Sequence, residues 1–162
     1  RPKSEINYLF NLINIYFKKE IKNIIKKNIK INILGRNSNL PVKIRKILQE
    51  VPRKTKKNKK LIINLAINYG AKHEIIDSVK KIILSKKKIL ETNIDKNLYT
   101  NLPFPDILIR TGGQRRLSNF MLWQLAYTEI FFLNKLWPEF GINDLKKIIK
   151  KFYSIKRNFG AI

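Results

Sequence analysis

Residues 61–84, LIINLAINYGAKHEIIDSVKKIIL, combine the pattern of a strand with that of a helix and decide the fold class. The first eight residues, LIINLAIN, are apolar on both faces, as strands of a buried parallel sheet are. After Gly70, apolar residues recur at the spacing of one helical face, namely at Ile75, Ile76, Val79, Ile82 and Ile83. The stretch therefore predicts a strand that leads into an amphipathic helix.

The residues before this stretch alternate between helix and strand patterns. EINYLFNLINIYFKKEIKNIIKKN, residues 5–28, has apolar residues at helical intervals and predicts a long amphipathic helix. NIKINIL, residues 28–34, alternates isoleucine with polar residues and predicts a strand. Residues 40–60, LPVKIRKILQEVPRKTKKNKK, predict a short helix that Pro52 closes, followed by a lysine-rich turn.

A third strand is predicted for DILIRT, residues 106–111. Strands that alternate with helices at this spacing indicate β-α-β units, whose crossovers are right-handed. We therefore expect an α/β fold with a parallel sheet flanked by helices. In that sheet the three predicted strands would be adjacent or nearly so.

The composition fits one globular domain over residues 1–162. This length suffices to bury a proper core, and the apolar share of 44%, with nine Phe, six Tyr and two Trp, excludes a disordered chain. The apolar runs are too short to span a bilayer. No cysteine occurs, which excludes disulfides and thiolate metal sites.

The formal net charge of +24 gives an alternative function. Dense Lys and Arg supply the sequence-independent part of phosphate binding, and lysines interleave with aromatic residues in IYFKKEIKNIIKKNIK, residues 15–30. A basic nucleic-acid-binding module is therefore one reading. The abundance of Lys, Ile and Asn is also the pattern of a compositionally biased genome, so the charge alone does not decide.

The junction DILIRTGGQRRLSNFMLWQ, which includes the third predicted strand, carries the candidate binding residues. Ligands of open parallel sheets bind beyond the carboxyl ends of the strands, where Arg110 lies. Gly112 and Gly113 permit a tight turn and a close approach to an anion. Arg116 can bind phosphate oxygens, and Ser118 can cap a following helix. The spacing predicts a phosphate site, and an arginine-rich surface turn with an ordinary serine N-cap fits it equally.

The same region resembles the cis-prenyltransferase family, specifically the bacterial undecaprenyl diphosphate synthases. The resemblance lies in PDILIRTGGQRRLSNFMLWQLAYTEIFFLNKLWPEF, residues 105–140, which is a long and specific signature. It extends along the chain through RPKSEI, ILGRNSNLP, LAINYGAKHEI and KRNFGAI, at residues 1–6, 33–41, 65–75 and 156–162.

This resemblance implies an enzyme with the undecaprenyl diphosphate synthase-like fold. Members of the family condense isopentenyl diphosphate, unit by unit, with an allylic diphosphate such as farnesyl diphosphate, using Mg²⁺. The cis-polyprenyl product serves as the lipid carrier for cell-wall glycans. The resemblance also implies a homodimer, a cytoplasmic location, transient contact with the inner membrane face for product release, and no specific nucleic-acid partner.

Roles for individual residues follow from the same resemblance. Substrate binding is expected of Arg1, Arg110, Arg116, Leu117 and Ser118. Glu129 matches the family's metal-associated glutamate and lies eleven residues after Ser118, about 16 Å away along a continuous helix. That distance is too long for both residues to serve one phosphate. We therefore expect Glu129 near the dimer interface, with a helix-terminal surface carboxylate as the alternative.

The family's amino-terminal strand and loop match nothing in these 162 residues. They carry the catalytic Asp, so we expect a chain that lacks this portion, has no catalytic residue of its own and is inactive alone, with a non-catalytic partner subunit as the alternative. Gln114 replaces the usual Glu and makes the junction more positive. Phe10, Leu61 and Leu65 could line the family's hydrophobic tunnel, although ordinary core packing explains them as well.

Overall fold

The structure is a computed structural model that describes residues 2–157. The chain forms two compact units, Arg1–Tyr69 and Gly70–Ile162. Each unit combines helices with one pair of parallel strands, which confirms the α/β class and the parallel strand direction predicted from the sequence. The organisation of residues 1–162 as a single domain stays a prediction.

The first unit contains two strands joined by a helical crossover. Its elements are α1 (Lys3–Lys26), β1 (Ile29–Leu34), α2 (Val42–Thr55) and β2 (Leu61–Ala66). Strands β1 and β2 pair in parallel, with Ile31 opposite Ile63. This pairing confirms the prediction that NIKINIL and LIINLAIN form neighbouring strands.

Apolar contacts hold the first unit together, because α1 and α2 both pack on β1. Two groups of buried side chains form its core, one made of Phe17, Ile24, Ile31 and Val51 and the other of Leu40, Ile44 and Leu48. Strand β2 is less buried than its sequence predicts. Leu61 is 52% exposed and Ile62 is 38% exposed, so LIINLAIN is not covered on both faces.

Pro52 does not close α2, contrary to the sequence-based prediction, since it lies inside a helix that continues to Thr55. Thr55 is fully buried, and its hydroxyl donates a hydrogen bond to the Val51 carbonyl at 2.9 Å. The same oxygen accepts the backbone N–H of Ile31 at 3.1 Å. Pro52 removes one helical donor, and these bonds to the buried threonine hold the last turn against β1.

The second unit also contains a parallel strand pair. Its elements are α3 (Ala71–Leu84), α4 (Glu91–Asn97), β3 (Ile107–Arg110), β4 (Glu129–Phe132) and α5 (Ile142–Tyr153), with a short 3-10 turn at Trp137–Glu139. The prediction of a strand in DILIRT is confirmed. Its partner is β4, which the sequence pattern did not reveal. Within residues 2–157 the strands therefore form two two-stranded sheets, and β3 is not hydrogen-bonded to β1 or β2.

The buried face of α3 differs from the predicted apolar stripe. Ile76 is 47% exposed and Ile83 is 59% exposed, whereas Glu74 and Ser78 are buried. Polar partners explain the difference. The Ser78 hydroxyl donates to the Ile94 carbonyl at 3.0 Å. The Glu74 carboxylate accepts the Tyr99 backbone N–H at 2.7 Å and the Gln124 side-chain amide at 3.0 Å.

Candidate functional site

Strand β3 ends at Arg110, and its pairing with β4 fixes where the following loop begins. Arg110 lies opposite Phe132, and its carbonyl accepts the Leu133 backbone N–H at 2.8 Å. The loop that follows therefore starts at the carboxyl end of both parallel strands. This is the end at which ligands bind in open parallel sheets.

Gly112 and Gly113 turn the loop with φ values of 87° and 72°, in the region that favours glycine. The predicted tight turn is thus confirmed. Their N–H groups donate to the carbonyls of Lys135 and Leu133 at 2.8 and 2.9 Å. The two glycines consequently hold the loop to the segment after β4, and their N–H groups are used in these hydrogen bonds.

The Arg110 guanidinium donates hydrogen bonds to two groups of the loop that follows it. Its Nη1 donates hydrogen bonds to the Arg116 carbonyl and to the Ser118 hydroxyl, the latter at 3.1 Å. A guanidinium has five N–H donors, so Nε and Nη2 keep donors for a ligand. Within residues 2–157 these two nitrogens have no protein partner. The structure thus places the Arg116 backbone and the Ser118 hydroxyl at the Arg110 guanidinium, and the substrate-binding roles of these residues stay predictions.

The charge of this loop is positive and uncompensated. The side chains of Arg115 and Arg116 are exposed, and neither forms an ion pair in the described part of the chain. The acidic residue nearest to the loop in sequence, Asp106, is already paired with Arg157 at 2.7 Å. The arrangement suits a multiply charged anion with acceptor oxygens.

Ser118 does not cap an α-helix, contrary to the prediction. Residues 118–127 form successive turns, and Ser118, Asn119 and Met121 have φ values of 49°, 63° and 46°. Non-glycine residues in this left-handed region cannot continue a right-handed α-helix. The serine hydroxyl instead accepts the Arg110 hydrogen bond described above. The serine therefore contributes a side chain to the cluster and no helix N-terminus.

Asn119 anchors the loop to α3, and sequence reasoning missed it. Its carbonyl accepts the Ala71 N–H and its side-chain oxygen accepts the Lys72 N–H, both at 2.9 Å. A Cβ atom at Gly70 would lie 2.8 Å from the Asn119 side chain, which explains a small residue there. The available signal was the tolerance of Asn for positive φ. The spacing of apolar residues conveyed nothing about it.

Glu129 begins β4 opposite Ile107, so its predicted position along a helix was wrong. Phe132, the last residue of β4, is three steps along the strand from Glu129, a distance of about 10 Å. Glu129 is half-buried and lies at the opposite end of the strand pair from the Arg110 cluster. Its predicted role as a metal-associated residue near the dimer interface stays a prediction.

Of the other predicted site residues, Leu117 is half-buried, and its carbonyl accepts the Phe120 N–H at 3.0 Å. Arg1 lies outside the described residues. No group of three His, Cys, Asp or Glu side chains suited to a metal ion occurs in residues 2–157. The Arg110 cluster consists of cationic donors and a hydroxyl, so it fits an anion and offers no ligand set for a cation.

Comparison with known proteins identifies the fold and the family. The family model for undecaprenyl diphosphate synthase matches residues 1–160. The chain belongs to the undecaprenyl diphosphate synthase family. It is a cis-prenyltransferase, and the family's activity is cis-prenyl chain elongation. This result does not favour the nucleic-acid-binding alternative.

Individual relatives agree with this assignment. The chain is 40% identical to an isoprenyl transferase of Fusobacterium nucleatum, covering 100% of this chain and 71% of that protein. A crystal structure of a probable undecaprenyl diphosphate synthase from Campylobacter jejuni matches 99% of this chain and 77% of that one, with a TM-score of 0.92 and 39% identity. Lavandulyl diphosphate synthase from Lavandula x intermedia, solved with dimethylallyl diphosphate, matches 99% of this chain and 73% of that one, with a TM-score of 0.91 and 30% identity. Over residues 2–157, none of the helices is long and apolar enough to cross a membrane.

Proposed function

We propose that the loop after β3 holds the diphosphate of isopentenyl diphosphate during cis-prenyl chain elongation. The observation that supports this most is the Arg110 guanidinium, which the Arg116 carbonyl and the Ser118 hydroxyl hold at the carboxyl end of β3. Three of its donors remain for a ligand. Arg116 adds a second guanidinium without a protein partner in the described residues.

The role of these residues is to bind and to orient the substrate. A diphosphate carries several negative charges, and planar guanidinium groups offer permanently charged donors in a fork that matches phosphate oxygens. The new carbon–carbon bond forms at the alkene end of isopentenyl diphosphate, remote from its diphosphate. Holding the diphosphate therefore fixes the direction in which the alkene points. Part of the binding energy is thus used to orient the alkene for the reaction. Arg1 and Leu117 are proposed to complete this substrate site.

An apolar cavity in the first unit is proposed to take the growing hydrocarbon. It has a volume of about 640 Å³ and is lined by residues of α1, β1 and β2, including Leu12, Tyr16 and Leu65. Of the residues named from the sequence, Leu65 lines it. Phe10 packs against the group around Leu40, and Leu61 is exposed, so neither supports the tunnel assignment.

The metal is proposed to be Mg²⁺, with Glu129 as one carboxylate ligand. Mg²⁺ commonly binds one or two carboxylates together with waters and substrate phosphates, so a single protein ligand from this chain is sufficient. The metal would help to neutralise diphosphate charge. The Arg110 cluster itself has no carboxylate, and its proposed contacts with the substrate do not depend on the position of the metal.

A homodimer that uses the region around β4 is proposed on the basis of exposed apolar side chains. Ile130 and Phe132 are 37% and 36% exposed on one face of β4, and Tyr127 and Trp137 nearby in sequence are 60% and 70% exposed. Large exposed apolar groups at one place are typical of protein interfaces. A cytoplasmic location, contact with the inner membrane face at product release and a role in cell-wall lipid supply are proposed from the family resemblance alone.

The proposed substrate site is tested by steady-state kinetics of three variants, made in the full-length protein that includes the family's amino-terminal strand and loop. Arg110→Ala and Arg116→Ala should each lower kcat/KM for isopentenyl diphosphate about 30- to 1000-fold, because each removes charge-assisted hydrogen bonds worth about 2–4 kcal/mol. Ser118→Ala should lower it only about fivefold, since one neutral hydroxyl contributes about 1 kcal/mol. The allylic substrate should be affected less in every case.

Arg115→Ala is the matched control, because Arg115 is exposed and its side chain makes no contact with Arg110 in the structure. Normal kinetics in all three test variants would mean that the loop is an arginine-rich surface turn. A fall of similar size in Arg115→Ala would show that only the total charge matters.

A further inference from the structure

The stretch between the Arg110 cluster and β4 depends on contacts with residues outside it. Residues 117–127, which we call the turn segment, contain neither an α-helix nor a strand. A backbone hydrogen bond within the segment joins the Leu125 N–H to the Met121 carbonyl at 3.0 Å. Ser118 and Met121 have φ values of 49° and 46°, which are uncommon for residues other than glycine. Such a conformation persists only where the surrounding structure enforces it.

Trp123 makes one of these enforcing contacts. Its ring packs against the buried apolar group of Ile82, Ile94 and Leu98. Its Nε1–H donates a hydrogen bond to Asp95 Oδ1 of α4 at 2.7 Å. A hydrogen bond to a carboxylate is stronger than one between neutral groups. The apolar packing and this hydrogen bond together fix the position of the second half of the turn segment.

Contacts next to Trp123 and earlier in the segment restrict the backbone further. Gln124 is 2% exposed, and its side-chain amide donates to a carboxylate of α3 at 3.0 Å. Asn119 accepts two backbone N–H groups at the start of α3, both at 2.9 Å. Met121, with its positive φ, lies between these two points of attachment. Releasing the later attachment would let Met121 return to a negative φ and would shift the chain before it.

We propose that Asp95 and Trp123 are positioning residues for the Arg110 cluster. The Ser118 hydroxyl, which accepts an Arg110 hydrogen bond at 3.1 Å, belongs to the turn segment, so its position depends on how the segment is held. Asp95 and Trp123 would act through Ser118 and keep its hydroxyl against Arg110 Nη1. All of these residues belong to the second unit. The inference rests on the function proposed above, because it concerns the binding of isopentenyl diphosphate at the same loop.

Steady-state kinetics of variants in the full-length protein test this role. Trp123→Phe keeps an aromatic ring against the apolar group and removes the indole N–H, and Asp95→Ala removes the acceptor of the same hydrogen bond. Each should raise KM for isopentenyl diphosphate about fivefold, because a hydrogen bond to a charged group is lost. The kcat value and KM for the allylic substrate should stay within about twofold, since the groups that bind the allylic substrate are unchanged.

A conservative variant and a double variant examine the hydrogen bond itself. Asp95→Asn keeps an oxygen acceptor, so it should stay closer to the wild type than Asp95→Ala. Combining Trp123→Phe with Asp95→Ala should raise KM about fivefold and not about 25-fold, because both changes remove the same interaction. Glu91→Gln is the matched control, because Glu91 is an exposed carboxylate of the same helix, and it should behave like the wild type.

Hydrogen exchange gives a readout that needs no substrate. In Trp123→Phe the backbone amides of the turn segment should exchange about tenfold faster, while those of β1 and β2 keep the wild-type rates. Local loosening of this kind supports the positioning role. Faster exchange along the whole chain would show that Trp123 only stabilises the fold, and it would overturn the proposal.

Arg110→Ala separates the two ways in which the proposal can fail. If Arg110→Ala impairs the use of isopentenyl diphosphate and neither Trp123→Phe nor Asp95→Ala does, the positioning role is refuted and the diphosphate site stands. Normal kinetics in Arg110→Ala would refute the diphosphate site, and the positioning role would fall with it. Equal losses for both substrates in Trp123→Phe would also overturn the proposal.

Discussion

The two parallel strand pairs of this chain are held in different ways. Around β1 and β2 the contacts are apolar, with Phe17, Ile31 and Val51 in one buried group. Around β3 and β4 the decisive contacts are polar, because Arg110 binds the Arg116 carbonyl and Ser118, and Asn119 holds the start of α3. The first region therefore contributes an apolar core, and the second contributes a loop held by polar contacts, which we propose binds the substrate.

The loop also contains closely spaced residues with positive φ. In the loop, Ser118, Asn119 and Met121 adopt positive φ values within four consecutive residues. The left-handed conformation costs about 1–2 kcal/mol for a residue other than glycine. Strain of this kind persists where the surrounding structure enforces it, and it is found often at functional sites. The hydrogen bonds of Asn119 to α3 provide that enforcement here.

The largest effect on stability is expected from a substitution in the apolar core that leaves the loop unchanged. Leu48 is only 3% exposed and packs with Leu40 and Ile44, so Leu48→Ala should lower the free energy of unfolding by about 3 kcal/mol. The kcat/KM for isopentenyl diphosphate, measured per folded molecule, should stay unchanged. Urea unfolding checks the first expectation, and Leu84→Ala is the matched control, because Leu84 is 83% exposed. Equal destabilisation by the two variants would refute the assigned core.

A smaller effect is expected when the hydrogen bonds between Asn119 and the start of α3 are weakened. Asn119→Ala removes the acceptor for the Lys72 N–H and places alanine at a φ of 63°, so the free energy of unfolding should fall by about 1–2 kcal/mol. The kcat/KM for isopentenyl diphosphate should fall about tenfold, because Asn119 follows Ser118 directly and positions it.

Asn119→Gly separates the two causes, since glycine accepts the positive φ and still lacks the side-chain oxygen. It should recover about half of the lost stability. If both variants behaved like the wild type in stability and kinetics, the loop would not depend on its contact with α3.

Sequence patterns predicted the apolar region well and the polar region poorly, for a physical reason. Helix α1, strands β1 and β2 and the crossover helix follow from periodic apolar residues, and such periodicity is local to each element. The burial of Glu74 depends on Tyr99 and Gln124, which are far away in sequence. No period in the sequence encodes such partners.

The same reason applies to the candidate site. Arg110, Arg116 and Ser118 were predicted together because they are close in sequence, and the structure brings them together. The helix predicted from Ser118 was wrong, because a run of apolar residues, LSNFMLWQLAYTEIFF, fits a helix as well as turns followed by a strand. Glu129 was misplaced for that reason. The substrate-binding and metal-binding roles stay predictions for every residue of the candidate site, namely Arg1, Arg110, Arg116, Leu117, Ser118 and Glu129.

The smallest effect is expected from Asp144→Asn. Asp144 pairs with Lys135, whose carbonyl accepts the Gly112 N–H of the loop. The hydrogen bond from Lys135, and secondly the Gly141 N–H, lower the pKa of Asp144. A carboxyl whose pKa is lowered in the folded state stabilises the fold above its unfolded-state pKa, and this stabilisation is lost as the pH falls through the folded-state pKa. The difference in unfolding midpoint between wild type and Asp144→Asn should thus be present at neutral pH and vanish in acid. A difference that persists in strong acid would contradict this assignment.

Calorimetric titration of the full-length protein with isopentenyl diphosphate tests most directly whether the Arg110 cluster binds the diphosphate of this substrate. Arg110→Ala should weaken its binding about 30- to 1000-fold, corresponding to about 2–4 kcal/mol, while Arg115→Ala stays close to the wild type and binding of the allylic diphosphate changes little. Equal affinities of wild type and Arg110→Ala for isopentenyl diphosphate would contradict the claim.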